Sequence, residues 1–213
     1  AWIFTGDGLG NWTQEGNKLL GTGAVGAARQ GVSVAISADG NTAIVGGNYD
    51  NGSQGAAWVY TRSGNTWSQQ GNKLVGSGAS GTFIYQGQSV SISADGNTVV
   101  IGGPSDNNAQ GASWVFTRSG NAWTQQGTKL VGFGSIGPLV GQGSGVALSA
   151  DGRTMMLGGY YDDNDLGAAW AFTHLPVQTT PAISSFSPSS GVVGSLVTVS
   201  GTDLNNPTSL LIG

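Results

Sequence analysis

Apolar residues in this chain come in short runs broken by Gly, Asn, Asp and Ser, and no stretch of ten or more residues carries them at a period of 3.6. Short alternating runs with turn residues between them predict strands, and hence an all-β protein. "VSVAIS" (Val32 to Ser37) is the first of a set of four. "SADGNT" then reverses the chain, because Asp39 can hydrogen-bond its own backbone and Gly40 accepts a positive φ. "TAIVGG" (Thr42 to Gly47) is apolar on both faces, as a strand covered on both sides should be. "AWVYTR" (Ala57 to Arg62) places Trp58 and Tyr60 on one face. After a Ser63-Gly64-Asn65 turn, "WSQQGNKLVG" (Trp67 to Gly76) is more polar and breaks at Gly71, which suits an outer edge strand.

The set repeats. "ISADGNT" at Ile36 to Thr42 returns at Ile92 to Thr98 and is echoed by "LSADGRT" at Leu148 to Thr154, 56 residues further on each time. The segments "AWIFT" at Ala1, "AWVYT" at Ala57, "SWVFT" at Ser113 and "AWAFT" at Ala169 keep the same interval. Three units therefore fill residues 1–168, and residues 169–173 open a fourth. A lone unit of this size is marginal, so identical four-stranded units must bury their faces on one another, as in a β-propeller or a related stack. The three "SADG" turns, with Asp39, Asp95 and Asp151, are expected to be structural and equivalent. From the N-terminus the pattern supplies thirteen strands: a third and fourth, two full sets, then a first, second and third. The missing last strand could come from Trp12 to Leu20, of the same chain or of a neighbour, which would make "AWIFT" and "AWAFT" rivals for one place. The expectation is either a slice of a larger propeller or a protomer that forms a homo-oligomer or fibre through unpaired strands.

Composition narrows what such an array does. Charged residues are 8% of the chain and Gly is 39 of 213, so the surface is built from uncharged polar side chains. Seven Trp, five Tyr and six Phe at regular intervals argue for a folded repeat over a disordered Gly-rich chain. A net charge of -4 with seven dispersed Lys and Arg disfavours nucleic acid and anionic membrane surfaces. No apolar run approaches the roughly 18 residues that cross a bilayer. The absence of Cys removes disulfides, thiolate metal sites and cysteine nucleophiles, and is compatible with an extracellular or cell-surface location. No signal peptide is visible, and residue 1 already lies inside a repeat, as expected of a processed chain or of part of a longer one.

Through "GVSVAISADGNTAIVGG", the Asn/Asp-rich loop and "GAAWVYTRSGNTW", residues 1–173 resemble FG-GAP-type repeats of bacterial surface proteins, related to the integrin α-subunit propeller. After a linker at 174–180, "PAISSFSPSSGVVGSLVTVSGTDL" in residues 181–213 is similar to the start of an IPT/TIG domain, an immunoglobulin-like sandwich with Pro188 to Gly191 as its first turn. A complete sandwich of that kind needs about seven strands and about 100 residues. The 33 residues here would be completed elsewhere in a longer chain or by another chain.

The resemblance implies Ca²⁺ loops of the DxDxDG type. Asp50, Asp106 and Asp162 are in register in the loop after the second strand, and Asp162, Asp163 and Asp165 make the third loop the most acidic, so any metal would sit there. None of the loops matches the pattern, and an Asx-turn explains the same residues. Repeated Asp positions speak against a carboxylate pair for glycoside hydrolysis, since a catalytic centre rarely occurs three times. His174 is the single histidine and reads as a junction residue; no GxSxG elbow is present, and "GTGAVG" and "GSGASG" open no helix that would bind phosphate. The registered tryptophans, Trp58, Trp114 and Trp170 with Trp12, Trp67 and Trp123, read as packing between units or as platforms for sugar rings. "NWT" at Asn11 and "NGS" at Asn51 are formal glycosylation sequons. Lys18, Lys73 and Lys129 each precede a Leu in the fourth strand, where Lys protects an edge. The expected function is a non-enzymatic extracellular structural or adhesion protein with no cofactor, and the alternative is a glycan- or Ca²⁺-dependent, lectin-like module.

Overall fold

The computed structural model describes residues 1–173, 182–187, 190 and 198–202, and the chain divides into two compact units, Ala1–His174 and Leu175–Gly213. In the first unit, β1 (Ile3–Gly6) pairs with β2 (Trp12–Glu15). Then β3 (Ser33–Ile36), β4 (Thr42–Gly47), β5 (Ala56–Ser63) and β6 (Thr66–Gln69) form a four-stranded antiparallel meander. The meander is repeated by β7 (Ser89–Ile92), β8 (Thr98–Gly103), β9 (Ala112–Ser119) and β10 (Ala122–Gln125). A three-stranded version follows, from β11 (Gly145–Leu148), β12 (Thr154–Gly159) and β13 (Ala168–Thr173). The protein is all-β, with the thirteen array strands that the periodicity predicts among the described residues, held in separate sheets rather than a closed barrel. In the second unit, β14 (Ala182–Ser187) and β15 (Thr198–Thr202) pair antiparallel, with an irregularity between Ile183 and Ser185. The expected linker at 174–180, His174 and the turn residues Pro188, Ser189 and Gly191 lie outside the described residues.

The fourth strand departs from the sequence expectation. Trp67 to Gly76 does not run as one strand: β6 ends at Gln69, the chain turns out at Gly71, and it returns at Leu74, whose N–H and carbonyl both bond Ala57 (2.7 and 3.0 Å). Leu130 repeats this on Ser113 and Leu19 on Ala1. The detour lets one segment serve two neighbours. Leu74 faces forward, into the cluster that holds Ile84, Ile101 and Trp114 of the following repeat, whereas Trp67 faces back onto Trp58 and Tyr60 with Ile3. A third cluster joins Val100 and Val115 to Met155 and Leu157. Burial thus lies mainly between successive sheets, as identical repeats require. Tyr60 sits in such a layer with its hydroxyl unpartnered among the described residues, and burial pushes its phenol up to about 12; the sister positions hold Phe116 and Phe172.

The exact interval of the "SADG" turns has a direct cause. Ala38 N–H donates to the Ala94 carbonyl (3.0 Å) and Ala94 N–H to that of Ala150 (2.9 Å), so the turns of successive repeats bond to one another in a row. Within each turn the Asp accepts from the Ser hydroxyl two residues back (Ser37, Ser93 and Ser149, each 2.5 Å). That bond first, then backbone N–H groups, holds Asp39, Asp95 and Asp151 below the usual carboxylate range. The three turns are not equivalent, which corrects the expectation. A Cβ on Gly96 would lie 2.8 Å from Thr42 Oγ1 of the preceding repeat, whereas one on Gly40 meets nothing closer than Arg62 Nη2 at 3.9 Å. Both glycines have left-handed φ, 65° and 68°. Gly40→Val should therefore cost about 1–2 kcal/mol of backbone strain, and Gly96→Val roughly 1–3 kcal/mol more from the clash. Urea melts of the two variants check this, and equal costs would show that Thr42 does not crowd Gly96.

Candidate functional site

The Asn/Asp-rich loops after β4, β8 and β12 each form one helical turn, at Asp50–Ser53, Asp106–Ala109 and Asp162–Asp165. Inside each, three successive residues are left-handed: Asn51, Gly52 and Ser53; Asn107, Asn108 and Ala109; Asp163, Asn164 and Asp165, all with φ between 48° and 73°. That conformation costs most residues about 1–2 kcal/mol each and is visited routinely only by Gly, with Asn and Asp next. The composition of the loop is thus a backbone requirement. It accounts for Asp163 and Asp165, the two residues that make the third loop the most acidic. Among the described residues no three His, Cys, Asp or Glu side chains converge in a way that could hold a metal ion.

The leading Asp of each loop acts differently. Asp50 and Asp106 are fully buried; each accepts one backbone N–H on Oδ1, from Val25 and Ser80 (2.7 Å each), and pairs through Oδ2 with Lys73 or Lys129. The lysines that edge protection would explain are therefore counter-ions inside the repeat, and this corrects that reading. Asp162 is 6% exposed and accepts the Ile136 N–H (2.8 Å), but no cation pairs with it among the described residues. A lysine at the same spacing would stand at position 185, which is Ser185 on β14.

The tryptophans split in the same manner. Trp58 and Trp114 are wholly buried, which removes them as sugar platforms, and each donates its indole N–H to a loop carbonyl, of Thr22 (2.8 Å) or Ser77 (2.7 Å). Two glycines clasp each ring. A Cβ on Gly76 would lie 2.2 Å from the Trp114 ring and one on Gly103 2.8 Å from its far side. A buried glutamine fixes the clasp: Gln86 accepts the Gly76 N–H (2.5 Å) and donates to its carbonyl (2.9 Å), and Gln142 does the same for Gly132. The sequence reading missed these glutamines, although Gln30, Gln86 and Gln142 recur at the interval of 56.

Aromatic rings line the surface beside these loops. Arg29 stacks over Tyr49 (3.6 Å to the centroid), Tyr49 meets Tyr85 (5.4 Å), and Tyr85 lies beside Phe83. Tyr85, Tyr160 and Tyr161 line a surface cleft with Gln88, Ser105 and Ser144. No Asp, Glu, Lys, Arg or His lines the cleft among the described residues, and the hydrogen bond with Tyr161 holds the Tyr160 phenol above its ordinary range. Rings beside amide and hydroxyl groups fit an uncharged polyol better than an ion. No helix among the described residues is long and apolar enough to cross a membrane.

No family model matches the chain, and no curated protein matches it. Among solved structures, hydrazine synthase of Kuenenia stuttgartiensis is similar over 68% of this chain and 33% of its own, at 12% identity and a TM-score of 0.39. The chain spans about a third of that protein's length, and a likeness at this level bears on neither fold family nor function.

Proposed function

We propose that this chain is a non-enzymatic extracellular structural or adhesion protein of the FG-GAP type, a propeller-like array followed by an IPT/TIG-like segment, and that it serves as a protomer of a surface filament. The observation that carries this reading is where the recurrent polar groups go. Asp39, Asp95 and Asp151 hold turns, Asp50 and Asp106 hold loops and lysines, and Gln86 and Gln142 hold the glycine clasps. Each of these groups is already taken up by backbone or lysine partners inside the array, which leaves burial and edges as what the array offers a partner. Electron microscopy of the purified chain at micromolar concentration tests this reading: filaments are expected, and separate compact monomers would overturn it.

The uncharged cleft at Tyr85, Tyr160 and Tyr161 favours a second reading, a lectin-like module for neutral sugars. On a glycan array, binding should survive chelation of Ca²⁺ and fall at least about tenfold in Tyr160→Ala, the scale of a lost ring contact. Binding abolished by chelation, or unchanged in the variant, would reject this cleft as the sugar site.

A further inference from the structure

Among the described residues the array ends on an open cleft, and its sister sites show what fills such a space. Between β9 and β13 lies a cleft lined by Val115, Gln126, Leu130, Leu148, Met155 and Phe172. One repeat earlier the corresponding positions are Val59, Gln70, Leu74, Ile92, Val99 and Phe116, and there the space is filled: Trp123 of β10 packs on that cluster and donates its indole N–H to Gln70 Oε1 (3.0 Å). The cleft is thus the seat of a fourth-strand tryptophan. Beside it, Asp162 lacks the lysine that Asp50 and Asp106 possess. In every fourth-strand segment that lysine follows the tryptophan by six residues: Trp67 and Lys73, Trp123 and Lys129, Trp12 and Lys18.

The last of these segments has the matching groups unused. Trp12 is 70% exposed, and Lys18 is exposed with no ion pair among the described residues. Its other face is already committed. Glu15 bonds Arg62 (3.1 Å), Leu19 is buried with Trp58, and Gly21 lies on the Trp58 ring. Residues 12–20 therefore sit in the position of a fourth strand that faces its following sheet and still presents Trp12 and Lys18 toward a preceding one. Among the described residues the preceding place holds β1, whose "AWIFT" differs from the "AWAFT" of β13 in Ile3 against Ala171 alone. Within one chain, the same contacts would demand a ring of three sheets, tighter than the four to eight blades such rings use.

We propose that Trp12–Leu20 of a second copy of this chain completes the last sheet, with β13 replacing β1 along β2, Trp12 seated in the cleft at Gln126, and Lys18 paired with Asp162. The inference deepens the protomer reading above, but it does not depend on where the assembly is used. The register follows from the pairing of β1 with β2: Thr5 opposite Thr13 becomes Thr173 of one copy opposite Thr13 of the other. Two copies joined at both ends would close a ring of six sheets, and repeated joining would give an open filament. Both need this joint.

The chain contains no cysteine, so a cross-link reads the joint directly. Antiparallel partners lie about 4.5–5.5 Å apart at Cα, within disulfide reach. Thr13→Cys and Thr173→Cys, made in separate full-length chains and mixed under mild oxidant, should give a disulfide-linked pair on a non-reducing gel. Trp12→Ala in the first chain should lower the yield at least about tenfold, as a lost buried aromatic anchor does. Lys18→Asp should do the same and be rescued by Asp162→Lys in the partner. No cross-link, or one indifferent to Trp12 and Lys18, would overturn the joint. So would a disulfide formed within a single chain that carries both cysteines, at high dilution. Filaments seen without this cross-link would leave the protomer reading in place and reject only this donor.

Discussion

Replacing Trp114 with alanine should cost about 3–5 kcal/mol, the range for deleting a large buried aromatic side chain. The indole is wholly buried, it joins two successive repeats in one cluster, and its N–H is the hydrogen bond that holds the Ser77 carbonyl. Gly76 and Gly103, which lie against the ring, have no side chains with which to refill the space. Trp2, at the equivalent place in β1's segment, is 59% exposed, and Trp2→Ala should stay within about 0.5 kcal/mol. Guanidinium melts of the two variants make the comparison. A Trp114→Ala cost near that of Trp2→Ala would show that the layers between sheets do not carry the stability of the array.

The difference between these two identical residue types marks what the sequence could and could not show. Strand positions were legible because period-two runs and "SADG" or Ser-Gly-Asn turns are local signals: β4 coincides with "TAIVGG", and thirteen strands stand where the pattern places them. The packing of Trp58 and Trp114 between repeats was legible from register. The fourth strand was misjudged at Gly71, since the return of Leu74 to Ala57 is a contact across a detour that no local pattern encodes. The loop acids were harder still. Asp162, Asp163 and Asp165 look like one cluster in sequence, yet two serve a left-handed backbone and one is a buried acceptor; only φ angles and depth distinguish them. Lys73 and Lys129 could not be assigned to Asp50 and Asp106, because a separation of 23 residues spans two strands and a detour. Only the fold decides whether those ends meet.

That ion pair carries the second large effect. Asp106→Ala should destabilise the chain by about 3–5 kcal/mol, because removing one partner leaves the Lys129 ammonium half-buried without its anion and the Ser80 N–H without its acceptor. Most of that cost is the stranded charge, so Asp106→Ala combined with Lys129→Met should recover a large part of it. Asp162 provides the internal control. Its carboxylate accepts the Ile136 N–H as Asp106 accepts that of Ser80, but no cation of the described residues depends on it, so Asp162→Ala should cost only about 1–3 kcal/mol in dilute chain, the range for one unmet buried hydrogen bond. The gap between the two variants measures the ion pair, and urea melts at one fixed concentration yield it. Concentration then separates the chain alone from the chain joined to a copy. If Lys18 of a second copy comes to Asp162, wild-type stability rises with protein concentration by mass action and that of Asp162→Ala rises less, so the cost of this variant grows on going from nanomolar to micromolar chain. A cost of Asp162→Ala that stays level over that range, together with a cost of Asp106→Ala below about 1 kcal/mol, would leave neither ion pair with a part in holding the array together.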